Sequence, residues 1–120
     1  MLVLDPATLV FFDLPIDSIR YAVGGFAAEE QLCVAIIFSN PGVEPHCDDF
    51  QVGDSFGFPY VVVIPGAEPC TEWEYGGNVT LEAASGCMQV TQEFPLAISI
   101  DMTLSVSGAP FTGTIVVSNQ

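Results

Sequence analysis

Residues 96–118 read LAISIDMTLSVSGAPFTGTIVVS, and this stretch decides the fold class. Leu96, Ile98, Ile100, Met102, Leu104 and Val106 alternate with Ser99, Asp101, Thr103, Ser105 and Ser107. Successive strand residues point to opposite faces, so a period of two makes one face apolar and the other wet. Ser107-Gly108-Ala109-Pro110 supplies turn chemistry, and Phe111, Gly113, Ile115 and Val117 return on one parity. The segment predicts a β-hairpin with a single buried face, and such a face needs a second layer to cover it.

Working outward, strand character recurs at 8–14, 18–26, 30–39, 59–64, 71–75, 78–84 and 87–94, with Gly, Pro, Asn and Asp between the runs. Val79, Leu81 and Ala83 share one parity, whereas Met88 and Val90 share the other. Ser85-Gly86 is expected to turn the chain into 87–94, with Met88 and Val90 on its inner face. Ile19, Tyr21 and Val23 alternate until Gly24-Gly25 breaks the run. The segments LCVAIIF, 32–38, and YVVVI, 60–64, are apolar on both parities, as expected of strands covered on both faces. No helical period appears. This rhythm predicts an all-β fold over residues 1–120: a single two-sheet antiparallel β-sandwich of about eight or nine strands. The alternative is a closed β-barrel.

Fifteen carboxylates face one arginine, Arg20, and no lysine, for a formal net charge of −14. Nucleic acid is held through Lys and Arg on its phosphates, and anionic membrane surfaces are held likewise, so neither is an expected partner. Arg20 is expected to pair with a carboxylate such as Asp17 or Asp101. Half of the residues are hydrophobic, which argues against disorder.

Cysteines stand at 33, 47, 70 and 87, with no C-x-x-C pair. Zinc and redox motifs usually bring two cysteines close in sequence, so two disulfides and an oxidising compartment are the expectation. Four cysteines permit three pairings. The short-loop pairing, Cys33–Cys47 with Cys70–Cys87, is favoured. On that pairing the segment after Ser39 folds back over strand 30–39, and Phe50, Phe56 and Phe58 cover Ala35 and Ile37. The start, MLVLDPATLVFF, lacks the positive region and cleavage site of a signal peptide. The chain is therefore expected to be a mature domain or an excised piece of a secreted or cell-surface protein.

The chemistry-bearing residues concentrate in EPHCDDFQVGDS, 44–55, within a predicted loop of about twenty residues, and long loops often carry function. Glu44, Asp48, Asp49 and Asp54 are hard oxygen ligands suited to calcium, although their spacing does not match the EF-hand pattern. His46 has no second histidine for a transition metal and no G-x-S-x-G elbow to serve as a base. The bland reading is a solvated acidic loop. In CTEWEYGG, Trp73 and Tyr75 share one parity of a short strand, and exposed aromatics beside carboxylates can hold sugar rings. Trp73 as a core aromatic is the competing reading.

The run TLVFFDL is bulky on both parities, as expected either of a central strand or of an edge strand whose second face meets another chain. The composition is similar to that of extracellular β modules and surface-polymer subunits. The leading expectation is a non-catalytic extracellular interaction or structural domain, self-associating or docking on protein through apolar strand surface, with no cofactor. The alternative is a carbohydrate- or calcium-binding β-sandwich module. An acid-pair glycoside hydrolase ranks below both.

Overall fold

The hairpin read from 96–118 forms the centre of a five-stranded sheet. In the computed structural model, residues 1–13, 20–39, 43–51, 60–68, 70, 78–93 and 95–119 are described. They form β1 (Leu2–Val3), a 3-10 turn (Pro6–Thr8), β2 (Val10–Asp13), β3 (Arg20–Ala27), β4 (Leu32–Ser39), β5 (His46–Gln51), β6 (Tyr60–Pro65), β7 (Asn78–Gln92), β8 (Ala97–Ala109) and β9 (Gly113–Ser118). One sheet has the order β1-β9-β8-β7-β5 and the other β2-β3-β4-β6. The all-β sandwich stands: the described strands form two open sheets, and no barrel closes among them. Among the described strands the pairings are antiparallel except that of β1 with β9, which is parallel.

The core lies between the sheets. From the larger sheet come Ile98, Ile100, Met102, Leu104 and Val106 of β8, Ile115 and Val117 of β9, and Met88 and Val90 of β7. From the smaller come Val23, Val34, Ile36, Phe38, Val61 and Val63. Tyr21 and Phe38, paired in register, meet edge to face with ring centroids 6.5 Å apart. That arrangement adds about 0.5–1.5 kcal/mol beyond area burial. The doubly apolar runs are covered on both faces: Cys33, Ala35 and Val62 are buried as well as their inward neighbours. Asn119 continues the larger sheet past β9. Its backbone N–H donates to Ile100 O, and its side-chain carbonyl accepts from Ile100 N–H.

Four expectations are corrected. No turn forms at Ser85-Gly86; β7 runs unbroken from Asn78 to Gln92. The parity switch is made instead by a register shift between Leu81 and Ala83, which leaves Glu82 as an extra, exposed residue. A β-bulge of this kind moves the inward set from Val79 and Leu81 to Ala84, Met88 and Val90. Ala83, expected inside, is only half-buried. Second, the long loop carries strand β5, which pairs with β7 in the larger sheet. Phe50 thus lies opposite Ala84 in register rather than over β4, and Phe56 and Phe58 fall outside the described residues.

Third, the disulfides are Cys33–Cys70 and Cys47–Cys87. The short-loop pairing fails because Cys47 and Cys33 belong to different sheets, and β5 sets Cys47 directly opposite Cys87. Fourth, Gly24-Gly25 does not interrupt β3. A Cβ on Gly25 would stand 2.8 Å from Leu9 Cδ2 and 3.0 Å from Leu4 Cδ1, so glycine admits the amino-terminal segment against the strand. The expected strand 71–75 lies outside the described residues, as does the Arg20 partner Asp17.

The amino-terminal turn completes the edge of β3 where β2 stops. Asp5 N–H donates to Phe26 O at 2.9 Å, and Phe26 N–H donates to Thr8 Oγ1 at 2.9 Å. The Thr8 hydroxyl in turn donates to Asp5 O at 2.7 Å. Thr8→Val keeps the shape and removes the acceptor, leaving the N–H of buried Phe26 unsatisfied. An orphaned buried donor costs about 1–3 kcal/mol, so chemical denaturation should show an unfolding free energy lower by that amount, seen as a lower midpoint with unchanged slope. Thr8→Ser should retain most of the stability. Equal loss in both variants would mean that the hydroxyl bond contributes little.

Candidate functional site

Residues 1–13 bridge the two sheets on one side of the sandwich. β1 ends the larger sheet and β2 ends the smaller. Leu2 and Leu4 insert into the core, which alternation predicts must turn Val3 outward. Val3 is 56% exposed, Met1 74% and Val10 55%. Leu9 and Phe11, on the other parity from Val10, pack against the core. The bulky residues on both parities of TLVFFDL thus divide between core and solvent at Leu9, Val10 and Phe11. Apart from Val43, no other large hydrophobic among the described residues is so open to solvent.

Asp5 caps the 3-10 turn, its Oδ1 accepting from Ala7 N–H at 3.0 Å. Pro6 follows at the first position of the turn, where a missing N–H costs nothing. Facing this segment is the β3–β4 connection, residues 28–31, closed by Gln31 at φ 55°. Between them lies an open cleft of about 240 Å³ lined by Met1, Val3, Asp5, Ala28, Glu29 and Glu30. Three of its lining residues are apolar and three are exposed acids. Small-molecule pockets usually measure about 300–1,000 Å³, so this cleft suits one or two side chains of a macromolecule better than a separate ligand.

Of the candidate ligand and catalytic residues singled out in the sequence, the described ones lie at or ahead of β5. Glu44 is exposed just ahead of β5. Asp48 and Asp49 hold successive register positions in β5, opposite Gly86 and Ser85, in a strand rather than a chelating loop. His46, opposite Met88, also belongs to the strand. Cys47 is bonded to Cys87 and so offers no thiolate. Asp54, Trp73 and Tyr75 lie outside the described residues. Among the described residues no group of three or more His, Cys, Asp and Glu side chains could hold a metal ion.

The cleft was not anticipated. Its signal was present as the alternation Met1-Leu2-Val3-Leu4, which sends Met1 and Val3 away from the core. Glu29-Glu30 is remote in sequence, and only the β3–β4 hairpin brings it alongside. No family model, curated protein or solved structure matches the chain.

Proposed function

We propose that the chain is a non-catalytic extracellular interaction or structural domain that docks on protein through its amino-terminal sheet edges. The exposure of Met1, Val3 and Val10 on the two edge elements carries this reading. An edge strand presents unpaired backbone groups, and an apolar edge favours pairing with another chain. Both disulfides are formed in a chain of 120 residues, as is typical of extracellular proteins. A second copy is the simplest partner at the β2 edge, in a medium salty enough to screen a charge of −14.

Light scattering over a concentration series at physiological and high salt tests the self-association. The expected result is a mass above that of the monomer, rising with salt and lowered by Val10→Ser. A monomer throughout removes the second copy as partner. Melting curves with calcium, with chelator and with soluble glycans address the ligand-binding alternative. A ligand at 100 times its dissociation constant raises stability by about 2.7 kcal/mol, so a raised midpoint would replace the docking reading with that of a binding module.

A further inference from the structure

We infer that the cleft beside β1 receives an arginine or lysine side chain from a basic, extended segment of a different protein. The inference rests on the docking reading above and gives that surface its partner chemistry. Lys and Arg lay their methylene stems along apolar surface and keep the charged head among polar groups. The cleft lining offers both parts: the apolar Met1, Val3 and Ala28, and the carboxylates of Asp5, Glu29 and Glu30.

The backbone beside the cleft is also available. In the parallel ladder Val3 lies opposite Val116, and Leu4 N–H donates to Val116 O. Alternate residues of a strand direct their backbone groups to opposite sides, so the N–H and C=O of Val3 face away from β9. β1 is the last strand of its sheet, so no described strand meets them there. An incoming extended segment can bond along this edge while its alternate side chains reach the cleft, the usual logic of strand addition.

Charge decides between partners. The chain has no lysine and one arginine, so a second copy has no basic segment to offer. A cationic segment is drawn in by the same net charge of −14 that opposes a second copy.

Fluorescence anisotropy tests this with the intact protein and a labelled Arg-Val-Arg-Val-Arg-Val peptide. The matching Glu-Val peptide serves as the control. The Arg-Val peptide is expected to bind and the Glu-Val peptide not to. Glu29→Gln with Glu30→Gln should weaken binding about tenfold, the scale of two exposed charge pairs. Glu82→Gln with Glu93→Gln, which removes two exposed acids from β7 and the β7–β8 connection, should leave binding within about twofold. Val3→Ser, a neutral change, should also weaken it.

Equal loss in the two acid pairs would mean diffuse attraction to a polyanion and would overturn the cleft. Loss with Val3→Ser but not with the Glu29 and Glu30 changes would keep the docking edge and overturn the basic partner. No binding of the Arg-Val peptide, or a dimer in light scattering that the Glu29 and Glu30 changes abolish, would also overturn it.

Discussion

Gly86→Ala is expected to lower the melting midpoint by roughly 15 °C, a loss of about 4 kcal/mol in a domain of this size. Gly86 sits within β7, between Asp48 of β5 and Met102 of β8 in register, so both neighbouring strands constrain it. Its φ is +126°, a region that L side chains rarely adopt. Holding a non-glycine residue there costs of order 1–3 kcal/mol. A Cβ would also stand 2.1 Å from the Asp101 carbonyl oxygen and 2.8 Å from Met102 Cα. Both are backbone atoms of the adjacent strand and cannot turn aside as a side-chain tip can. Overpacking of this kind costs a further 1–3 kcal/mol or so. Ser85→Ala, one residue away and half-buried, is the control and should change stability by less than about 1 kcal/mol. A Gly86→Ala protein that melts within about 2 °C of the parent would show that the strand relaxes freely there, against this account.

Gly86 also marks the boundary of what could be read in the sequence. The switch of apolar parity between Leu81 and Met88 was visible, and a glycine lay inside it. A tight turn and a bulge both produce such a switch, and Ser85-Gly86 is good turn chemistry. The length of β8 settles the matter. Its 13 residues, Ala97 to Ala109, present an unbroken pairing edge from Ile98 to Val106, and β7 pairs along the whole of it. Breaking β7 at Gly86 would forfeit half of that ladder. Glu82 is extruded instead, at the cost of one unpaired residue.

The alternation of 96–107 was legible because it is local: each residue's face follows from its neighbours. β5 was not legible, because HCDDFQ is too polar to read as a strand alone. Its pairing with β7 and the disulfide to Cys87 fix it there. The cleft was half legible. Exposure of Val3 follows from the burial of Leu2 and Leu4, but the acids across from it come from a hairpin of separate origin. The acidic segment makes the same point over its described residues, 44–51. Density of carboxylates in sequence says nothing about convergence once a strand spreads its residues along a ladder.

Cys33→Ala with Cys70→Ala is expected to destabilise by about 5 kcal/mol, and Cys47→Ala with Cys87→Ala by about 4 kcal/mol. In the chain-entropy model, loops of 37 and 40 residues each correspond to roughly 4 kcal/mol, so loop length alone does not separate the pairs. Environment does. Cys33 is buried at 3% exposure, and its Sγ lies 3.1 Å from where a Cβ on Gly66 would stand. Removing that bridge frees Cys70 from β4 and empties a packed position on the outer face of the smaller sheet. A small buried apolar deletion adds on the order of 1 kcal/mol. Cys47 is exposed and Cys87 half-buried on the edge pair β5–β7, so their bridge leaves less of a void. The bridges also interleave, 33 with 70 and 47 with 87, so each shortens the free loop of the other. Each single removal is therefore cushioned by the bridge that remains, and removing both should cost at least the sum of the two, enough to exhaust a stability of about 5–15 kcal/mol near its lower end. Accessibility orders their chemistry: thiolate attack needs an approachable sulfur, so limiting reductant followed by alkylation should label Cys47 and Cys87 before Cys33 and Cys70. Peptide mapping that found the reverse order would contradict the burial of Cys33. Four alkylated cysteines without any reductant would remove the bridges, and with them the extracellular reading.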